Sequence, residues 1–290
     1  MTKEKWVMAI DAGAYEVKGR TKDEVFKFRS AMGPYRQLKV SNVLNKDIVG
    51  SQEDFIIEYN DETMYLGDIA VRECHILREP KHISKAHDET KIRVLVAVHQ
   101  YGKKSGNLVV VGQPIQGLTP NEKESIVDML KDIHTITVNG EKKTFSIDDV
   151  KVVGEAAGAY FSIEERPEMI TNVIDAGSST FNYLRVEDGF FIDRKSGTLN
   201  YGTETDKNIT HKQMVDAIIS TTKGKWNSSD PTFLAGGVAG ELLPHFQDYF
   251  NNIQLIEPVH FKSNYPEKHP PQFANAFGFY LIGKTVFLNE

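Results

Sequence analysis

The tetrapeptide Ile-Asp-Ala-Gly occurs twice in this chain, and both copies carry residues that could hold a phosphate through a cation. The first contains Asp11 and Gly13 and the second Asp175 and Gly177, so the aspartates are 164 residues apart (175 − 11). Glycine lets the backbone approach a ligand closely, and successive turn N–H groups can form an anion-binding nest. Because like charges repel, an aspartate beside a phosphate requires a hydrated divalent cation between them. The repeat predicts two related halves that close on one nucleotide.

Each copy lies between two strand-like segments, which is the pattern of a β-hairpin. The first return strand carries Lys18, which could reach back toward a phosphate or could be a solvated strand lysine. Ser178, Ser179 and Thr180 follow the second glycine and offer hydroxyl groups and backbone amides to an anion. The same residue types are also common in ordinary turns. The repetition of the pattern favours the phosphate-binding interpretation.

The bulk composition narrows the class of protein. A chain of 290 residues with 40% hydrophobic and 26% charged residues predicts a soluble globular protein of one large domain or two of about 145 residues. The net charge of −6 argues against broad attraction to nucleic acid or anionic membranes. The single cysteine, Cys74, excludes an intrachain disulfide and a multi-cysteine metal site. Without a signal peptide or a run of about 20 apolar residues, the expected location is the cytoplasm.

Turn and periodicity signals place the elements of the first half. Residues 88–101 predict a largely buried helix, although their β-branched side chains leave a strand possible. Residues 108–112 predict a buried strand. Residues 119–122, Thr-Pro-Asn-Glu, predict a helix start in which the threonine caps and the glutamate completes a capping box. Asn-Gly at 139–140 predicts a hairpin turn. Residues about 30–85 are irregular and polar, and they predict a small inserted subdomain.

The second half continues the alternation of strands and helices. Residues 154–160 predict the start of a helix, and residues 209–222 predict another. A strand from residue 233 runs through Gly236 and Gly237 into a helix at Glu241. The two glycines would let the backbone pass close to a nucleotide, or they could simply form a tight turn. Residues 273–282 predict a buried last helix, and the alternation indicates an α/β protein.

These elements stand in an order that resembles the superfamily of actin, the heat-shock chaperone ATPases and the sugar kinases. Residues 11–18 and 175–180 resemble the two phosphate loops of that superfamily, and residues 154–160 resemble its first connecting helix. Residues 234–241 resemble the adenosine motif, and residues 274–283 resemble the second connecting helix. The resemblance covers nearly the whole chain. It implies an actin-like α/β fold of two related RNase H-like domains around a nucleotide cleft.

Within the superfamily, the chain is most similar to the bacterial plasmid-segregating actins of the ParM and AlfA type. The resemblance implies domain I at residues 1–154, with subdomain IB inserted at about 30–85, and domain II at residues 155–290. The last helix, at about 273–283, is expected to pack back toward domain I. Only 31 residues separate Gly202 from Leu234 (234 − 202 − 1), where actin and ParM carry subdomain IIB. This feature resembles AlfA and implies that subdomain IIB is reduced or absent.

The resemblance also assigns site residues. Glu155 matches the glutamate that positions the attacking water in ParM-like proteins, although a glutamate at a helix start can also simply favour the helix dipole. The implied catalytic residues are Glu155, Asp175 and Asp11, and the two aspartates would hold Mg²⁺ through water. The implied nucleotide-binding residues are Asp11, Gly13, Ala14, Tyr15, Lys18, Asp175, Gly177, Ser178, Ser179, Thr180, Gly202, Gly236, Gly237, Val238 and Glu241.

The function implied by the resemblance is that of a polymerising ATPase. It would use ATP and Mg²⁺, assemble with itself head to tail and segregate plasmid DNA. The acidic balance favours a DNA-binding adaptor protein on a centromere-like site over direct nucleic-acid binding, and no membrane partner is expected. Two alternatives stay open. One is a small-molecule, sugar-type kinase of the same superfamily, disfavoured by the short chain and the lack of a sugar-site cluster; the other is a filament scaffold with negligible turnover.

Overall fold

Two large β-sheets account for most of the chain in the computed structural model, which describes residues 4–37, 53–78, 84–205, 208–262 and 265–289. The first sheet has nine strands in the order β3-β2-β1-β7-β9-β8-β5-β6-β4. These strands are β1 (Trp6–Ala12), β2 (Glu16–Arg20), β3 (Val25–Arg29), β4 (Met32–Pro34), β5 (Asp54–Tyr59), β6 (Glu62–Gly67), β7 (Asn107–Gln113), β8 (Ile133–Val138) and β9 (Glu141–Gly154). The helices between them are α1 (Asp68–Glu73), α2 (Asp88–Tyr101) and α3 (Pro120–Leu130).

The second sheet has the order β12-β11-β10-β14-β15, with β13 paired to β11. Its strands are β10 (Ile170–Ala176), β11 (Phe181–Glu187), β12 (Phe190–Phe191), β13 (Gly197–Leu199), β14 (Thr232–Gly236) and β15 (Ile253–Leu255). The helices of this half are α4 (Ala157–Phe161), α5 (His211–Thr222), α6 (Ala239–Gln247) and α7 (Ala274–Gly283). A separate hairpin of β16 (Val259–Lys262) and β17 (Tyr265–Lys268) precedes α7. In the described ranges, no helix has the length and apolar character needed to span a membrane.

Both predicted hairpins are present, and they occupy equivalent places in the two sheets. Strand β1 pairs antiparallel with β2 and parallel with β7, while β10 pairs antiparallel with β11 and parallel with β14. Asp11 stands opposite Lys18, and Asp175 stands opposite Asn182. Each aspartate is the last residue but one of a central strand; β1 is buried throughout, and β10 is buried from its second residue onward. The sequence repeat is therefore also a repeat of strand pairing.

The helix predicted at residues 88–101 is confirmed over its whole range, and most of its residues are buried.

Other predicted elements need correction. The helix predicted from residue 154 begins only at Ala157, because β9 extends to Gly154 and Ala156 has a φ of 65° that no helix accommodates. Strands β4, β5 and β6 extend the nine-stranded sheet, since β5 pairs with β8. The remainder of the predicted 30–85 insertion, at residues 38–52 and 79–83, lies outside the described residues.

The start of α3 shows a half-correct capping prediction. The hydroxyl of Thr119 accepts a hydrogen bond from the N–H of Glu122, as predicted. The reciprocal half of the capping box is wrong, because the Glu122 carboxylate accepts instead from the Ser84 hydroxyl (2.6 Å) and the Lys85 N–H (3.1 Å). Glu122 therefore fixes the segment that leads into α2, and that segment carries Lys85 toward the site described below.

Helix α7 is buried against both halves of the molecule. Its Phe279 and Tyr280 pack with Val7 and Val110 of the first sheet. On its other side it crosses α4 at Gly278, where an added Cβ would lie 1.7 Å from the carbonyl oxygen of Gly158. The absence of a side chain at residue 278 is what allows the two backbones to touch.

We therefore predict that Gly278→Ala lowers the free energy of unfolding by about 1–3 kcal/mol, the usual cost of overpacking a close contact. The matched control is Gly240→Ala in α6, where an added Cβ meets no atom within 4 Å. Because alanine is the better helix former, the control should be neutral or slightly stabilising. Urea unfolding of the three proteins measures both effects, and equal stability of the two variants would contradict the packing explanation.

Candidate functional site

A cavity of about 280 Å³ lies where the turns of the two hairpins face each other. Most of the residues predicted to be catalytic or to bind nucleotide line it. These are Asp11, Gly13, Ala14, Tyr15, Lys18, Glu155, Asp175, Gly177, Ser178, Ser179, Thr180, Gly236, Gly237 and Val238. The structure therefore brings together side chains that are far apart in the sequence and belong to both sheets.

Three carboxylates face this cavity from three different elements. Asp11 is the last residue but one of β1, Asp175 has the same place in β10, and Glu155 follows directly after β9. All three are buried, with exposed fractions of 7–8%. Carboxylates are rarely buried unless paired or bound to a cation. Their common orientation therefore indicates a site for positive charge.

Glu155 is held at both carboxylate oxygens. Its Oε2 accepts a hydrogen bond from the side-chain amide of Asn182 at 2.9 Å, and its Oε1 lies 3.4 Å from the ammonium group of Lys85. Burial is the largest influence on the pKa of Glu155 and raises it. The charge of Lys85 lowers this pKa, the charge of Asp11 raises it, and the hydrogen bond from Asn182 lowers it. The net shift is upward, so this carboxylate has a greater proton affinity than a glutamate in water. Its two partners fix its orientation toward the cavity.

Asp175 is anchored by Asn275 of α7. The Asn275 amide nitrogen donates to Asp175 Oδ2 at 2.8 Å, while its oxygen accepts from the backbone N–H groups of Ala156 and Ala159 at 3.1 and 3.0 Å. One side chain thus joins β10 to the start of α4. Burial, followed by repulsion from Glu155 and from Asp11, raises the pKa of Asp175 to about 7.

The turns beside the carboxylates have the same geometry in both hairpins. An added Cβ would lie 2.6 Å from the Glu16 carbonyl oxygen at Gly13, and 2.6 Å from the Thr180 carbonyl oxygen at Gly177. Gly236 has a φ of 115°, and an added Cβ there would lie 2.2 Å from the Ala176 carbonyl oxygen. These three glycines let tight turns pack edge to edge along the cavity.

Two residues predicted to contact nucleotide are outside the residues that line the cavity. Gly202 packs behind the second turn, where an added Cβ would lie 2.4 Å from the Ser178 backbone. The carboxylate of Glu241 points to solvent and lies 3.5 Å from His211 Nε2. The neighbours of Gly202, Thr203 and Glu204, line the cavity in its place. Direct contact of Gly202 and Glu241 with a nucleotide stays a prediction.

Sequence reasoning missed several residues of the site: Lys85, His87, Thr90, Arg93, Asn182, Thr203, Glu204, Gln272 and Asn275. For Asn182 a signal was present, because it lies 164 residues after Lys18 (182 − 18), the same interval that separates the two aspartates. Lys85 and Asn275 belong to no repeated motif. They reach the site through tertiary contacts, and no local pattern identifies them.

The donor set suits a hydrated divalent cation. Asp11 and Asp175 supply the hard oxygen ligands that Mg²⁺ prefers, and Mg²⁺ usually keeps several of its waters. The pKa of Asp175, raised by burial and by two neighbouring carboxylates, reflects an excess of buried negative charge that such an ion would offset. Lys18 lines the same cavity and brings a further positive charge. The residues present therefore fit magnesium.

The comparisons with known proteins agree with this fold. A family model described as the N-terminal domain of actin-like proteins matches residues 9–158. A comparison of the sequence with curated proteins finds no match.

Three solved structures show the likeness over nearly the full chain. An AlfA filament from the B. subtilis plasmid pLS32 is 20% identical, with a TM-score of 0.76 over 96% of this chain and 98% of that one. An AlfA filament bound to AMPPNP is 21% identical, with a TM-score of 0.74 over 96% of each chain. The crystal structure of apo pSK41 ParM is 19% identical, with a TM-score of 0.71 over 99% of each. The fold is thus actin-like.

The matched segment covers 150 of the 290 residues (158 − 9 + 1), and it contains both Asp11 and Glu155. Asp175 lies beyond it, on the hairpin that repeats the pairing of the first. More than half of the sequence, the fold and the repeated hairpins around one cavity all lead to the same family: this chain belongs to the actin-like proteins.

Proposed function

We propose that this chain is an ATPase that forms nucleotide-dependent filaments and segregates plasmid DNA. The observation that carries the proposal is the convergence of Asp11, Glu155 and Asp175 on one cavity between two equivalent hairpins of an actin-like fold. Supporting it, the similar solved structures include filaments, one of them with AMPPNP bound. We further propose that the chain works in the cytoplasm, and that a DNA-bound adaptor protein links it to a plasmid.

The chemistry we propose needs little covalent work from the protein. Hydrolysis of a phosphoanhydride is catalysed mainly by positioning and by electrostatic stabilisation. Asp11 and Asp175 would hold magnesium through water, and the ion would offset charge on the phosphate oxygens. The turn N–H groups of both hairpins and the ammonium group of Lys18 bind the phosphates. Ser178, Thr180 and their neighbours offer hydroxyl donors.

Glu155 orients the attacking water in this mechanism. Asn182 and Lys85 hold its two oxygens, and this leaves lone pairs on a fixed carboxylate to accept a proton from water. The raised pKa of Glu155 makes it a better proton acceptor than an exposed glutamate when it is ionised. The nearby ammonium group of Lys85 favours the ionised form of Glu155, because it lowers the pKa of this carboxyl group. We therefore assign Lys85 as a positioning residue.

This assignment predicts that Lys85→Met lowers phosphate release about 10-fold at neutral pH. Loss of the ammonium group raises the pKa of Glu155 further, and each unit of increase lowers the ionised fraction about tenfold. The rate should recover as pH rises, because higher pH restores the ionised form. Lys91→Met is the matched control, since the Lys91 ammonium group lies over the ring of Tyr59. A pH–rate profile identical to the parent's would remove Lys85 from this role.

We retain the division of the chain at residues 154 and 155 and the reduction of subdomain IIB as proposals. Between Leu199 and Thr232, the described residues contain one helix, α5, which packs against α6. A monomer with this reduction leaves the adenosine end of its cleft thinly covered. Head-to-tail contacts repeat without closing and so generate filaments, in which a neighbour covers that end.

This coverage predicts that apparent ATP affinity rises with protein concentration across the assembly threshold. If nucleotide binding and assembly are linked, each strengthens the other by the same coupling free energy. In allosteric systems this coupling commonly changes affinity by about 5–150-fold, and we expect an increase in ATP affinity of roughly that size. Titration of a fluorescent ATP analogue below and above the threshold measures the effect. One dissociation constant at all protein concentrations would contradict the linkage.

The test of the whole proposal combines light scattering with a phosphate-release assay, each with and without ATP and Mg²⁺. We expect both scattering and phosphate release to depend on nucleotide. Scattering without release would indicate a scaffold with negligible turnover. ATP consumption that requires an added small alcohol or sugar, without scattering, would indicate the kinase alternative. Omission of Mg²⁺ should suppress both signals.

A further inference from the structure

Three side chains that commonly bind metal ions lie together on the β16–β17 hairpin, outside the cavity described above. They are His260, Glu267 and His269, and one ligand atom of each lies within 4.8 Å of the other two. In the part of the chain that the structure describes, no other three histidine, cysteine or carboxylate side chains bring their ligand atoms this close together. The nucleotide mechanism uses none of the three.

The register of the hairpin brings these residues together. His260 of β16 pairs directly with Glu267 of β17. His269 follows Glu267 by two residues, and its N–H donates to the Pro258 carbonyl at 2.8 Å, so the pairing continues past the end of β17. Side chains two residues apart on a strand share a face, as do directly paired residues. The cluster is therefore fixed by the backbone.

The two histidines are largely shielded from water. His260 is 6% exposed, and the ring of His269 packs against Phe273 and Phe277, with centroids 5.8 and 5.1 Å away. The Nε2 atom of His269 is buried without a hydrogen-bond partner among the described residues, and the nearest carboxylate oxygen is that of Glu267 at 4.0 Å. Buried polar atoms in native proteins nearly always have a partner. This atom is positioned to bind an occupant of the cluster.

The surroundings of His260 also suit a metal ligand. Its Nε2 atom lies 3.3 Å from the carbonyl oxygen of Lys22, in the turn between β2 and β3. A histidine that binds a metal through one ring nitrogen commonly donates the other N–H to a backbone carbonyl, which fixes the tautomer and the ring orientation. The Lys22 carbonyl is placed to accept such a bond.

We propose that His260, Glu267 and His269 form a binding site for a divalent transition-metal ion, with zinc the best match. Two imidazoles and one carboxylate form a known zinc ligand set, and water occupies the fourth position. Zinc–ligand bonds of about 2.0–2.1 Å in a tetrahedron place ligand atoms roughly 3.4 Å apart. The cluster must therefore contract slightly around the ion, and the half-exposed side chain of Glu267 is free to make that movement.

One neighbouring charge opposes the ion. Arg20 acts electrostatically on His269, and its guanidinium group lies 4.2 Å from the centre of the Phe277 ring. A positive charge at this position repels a second cation, and Glu267 offsets it only in part. We therefore expect weaker binding than at closed zinc sites with four protein ligands. The ion would tie the hairpin to the segment that leads into α7.

The test is a titration of Zn²⁺ into the untagged full-length chain by calorimetry, without nucleotide and with excess Mg²⁺. Magnesium prefers oxygen ligands and so occupies the carboxylates of the cavity. We expect one equivalent of Zn²⁺ to bind, and Co²⁺ to give the absorption of a tetrahedral site. Glu267→Ala and His269→Ala should each weaken binding by at least about 10-fold, since loss of even an outer partner costs that much.

The Glu267 variant separates the loss of a zinc ligand from a loss of folding. Glu267 is exposed, so its replacement should leave the fold intact, as thermal unfolding would verify. The matched control is His75→Ala, which removes an exposed histidine outside the cluster and next to the cysteine Cys74. Failure of the parent to bind zinc would overturn the proposal, as would equal affinity in Glu267→Ala. If His75→Ala no longer binds one equivalent of Zn²⁺, the ion binds near His75 and Cys74 and not at the hairpin. That result would also overturn the proposal.

Discussion

Replacement of Glu155 by alanine is expected to slow phosphate release by roughly 10²–10⁴-fold, the range for loss of a general base or water-positioning group. Glu155 is the one carboxylate of the three that is fixed by a cation and an amide, Lys85 and Asn182, at separate oxygens. Removing it leaves Asp11 and Asp175 in place, so nucleotide should still bind. The variant should therefore assemble with ATP and fail to disassemble.

The measurement pairs phosphate release with light scattering over time. Glu164→Ala is the matched control, because Glu164 is an exposed glutamate in the segment that follows α4. We expect the control to match the parent in both assays. Steady-state hydrolysis by Glu155→Ala at the parental rate would return Glu155 to the simpler role of a buried carboxylate near a helix start. Loss of nucleotide binding in the same variant would contradict the separation of binding from chemistry.

The hairpins and their aspartates were predictable because their signals are local. Each hairpin occupies one short run of consecutive residues, 6–20 and 170–187, and consists of an apolar strand, an Asp-Ala-Gly turn and a return strand. A strand that is buried along all or nearly all of its length, such as β1 or β10, has few alternative registers. The order of the motifs along the chain then identified the fold. The position of Glu155 followed from that order.

The side chains that hold the site carboxylates were not predictable, because they reach them through contacts between distant segments. Glu122 illustrates the difficulty. Its sequence context predicts a capping box with Thr119, yet its carboxylate accepts hydrogen bonds from Ser84 and from the Lys85 N–H. Tertiary partners thus replaced the local one. The same interaction positions Lys85, which therefore stayed hidden for the same reason.

Strand β9 shows how a local break can be misleading. The sequence predicts two strands, at residues 144–147 and 149–153, separated by the polar Asp148. In the structure Ile147 pairs with Asn107 and Asp149 pairs with Leu108, so Asp148 is skipped by the pairing. Its carboxylate accepts a hydrogen bond from the Ser146 hydroxyl. A bulge thus accommodates the polar residue within one continuous strand.

The second large effect is expected from Asp175→Asn. The replacement keeps the shape of the side chain and an oxygen that can accept from Asn275, while it removes one of the two carboxylates proposed to hold magnesium. Loss of an outer-shell partner lowers metal affinity by about 10–100-fold. We expect magnesium-dependent nucleotide binding to weaken by that factor and phosphate release to become negligible. The surface variant Asp128→Ala in α3 is the control for both measurements.

Stability without nucleotide should change in the opposite direction. The pKa of Asp175 is raised from an ordinary value of 3.8 to about 7, first by burial and then by Glu155 and Asp11. Because the folded chain favours the protonated form, ionisation of Asp175 lowers stability progressively as pH rises between those two values. Asp175→Asn removes this loss, so the variant should unfold at a higher temperature than the parent, by more at neutral pH than at about pH 5.

These opposite changes separate function from folding. A variant that melts above the parent and yet fails to bind magnesium–nucleotide cannot have lost activity by unfolding. Thermal unfolding at the two pH values, beside nucleotide titration with and without Mg²⁺, gives both results from one preparation. Parental hydrolysis by Asp175→Asn would contradict the site in which two hairpins share one ion. Equal melting temperatures of variant and parent at neutral pH would show that burial and the two neighbouring carboxylates do not disfavour ionised Asp175 in the folded chain.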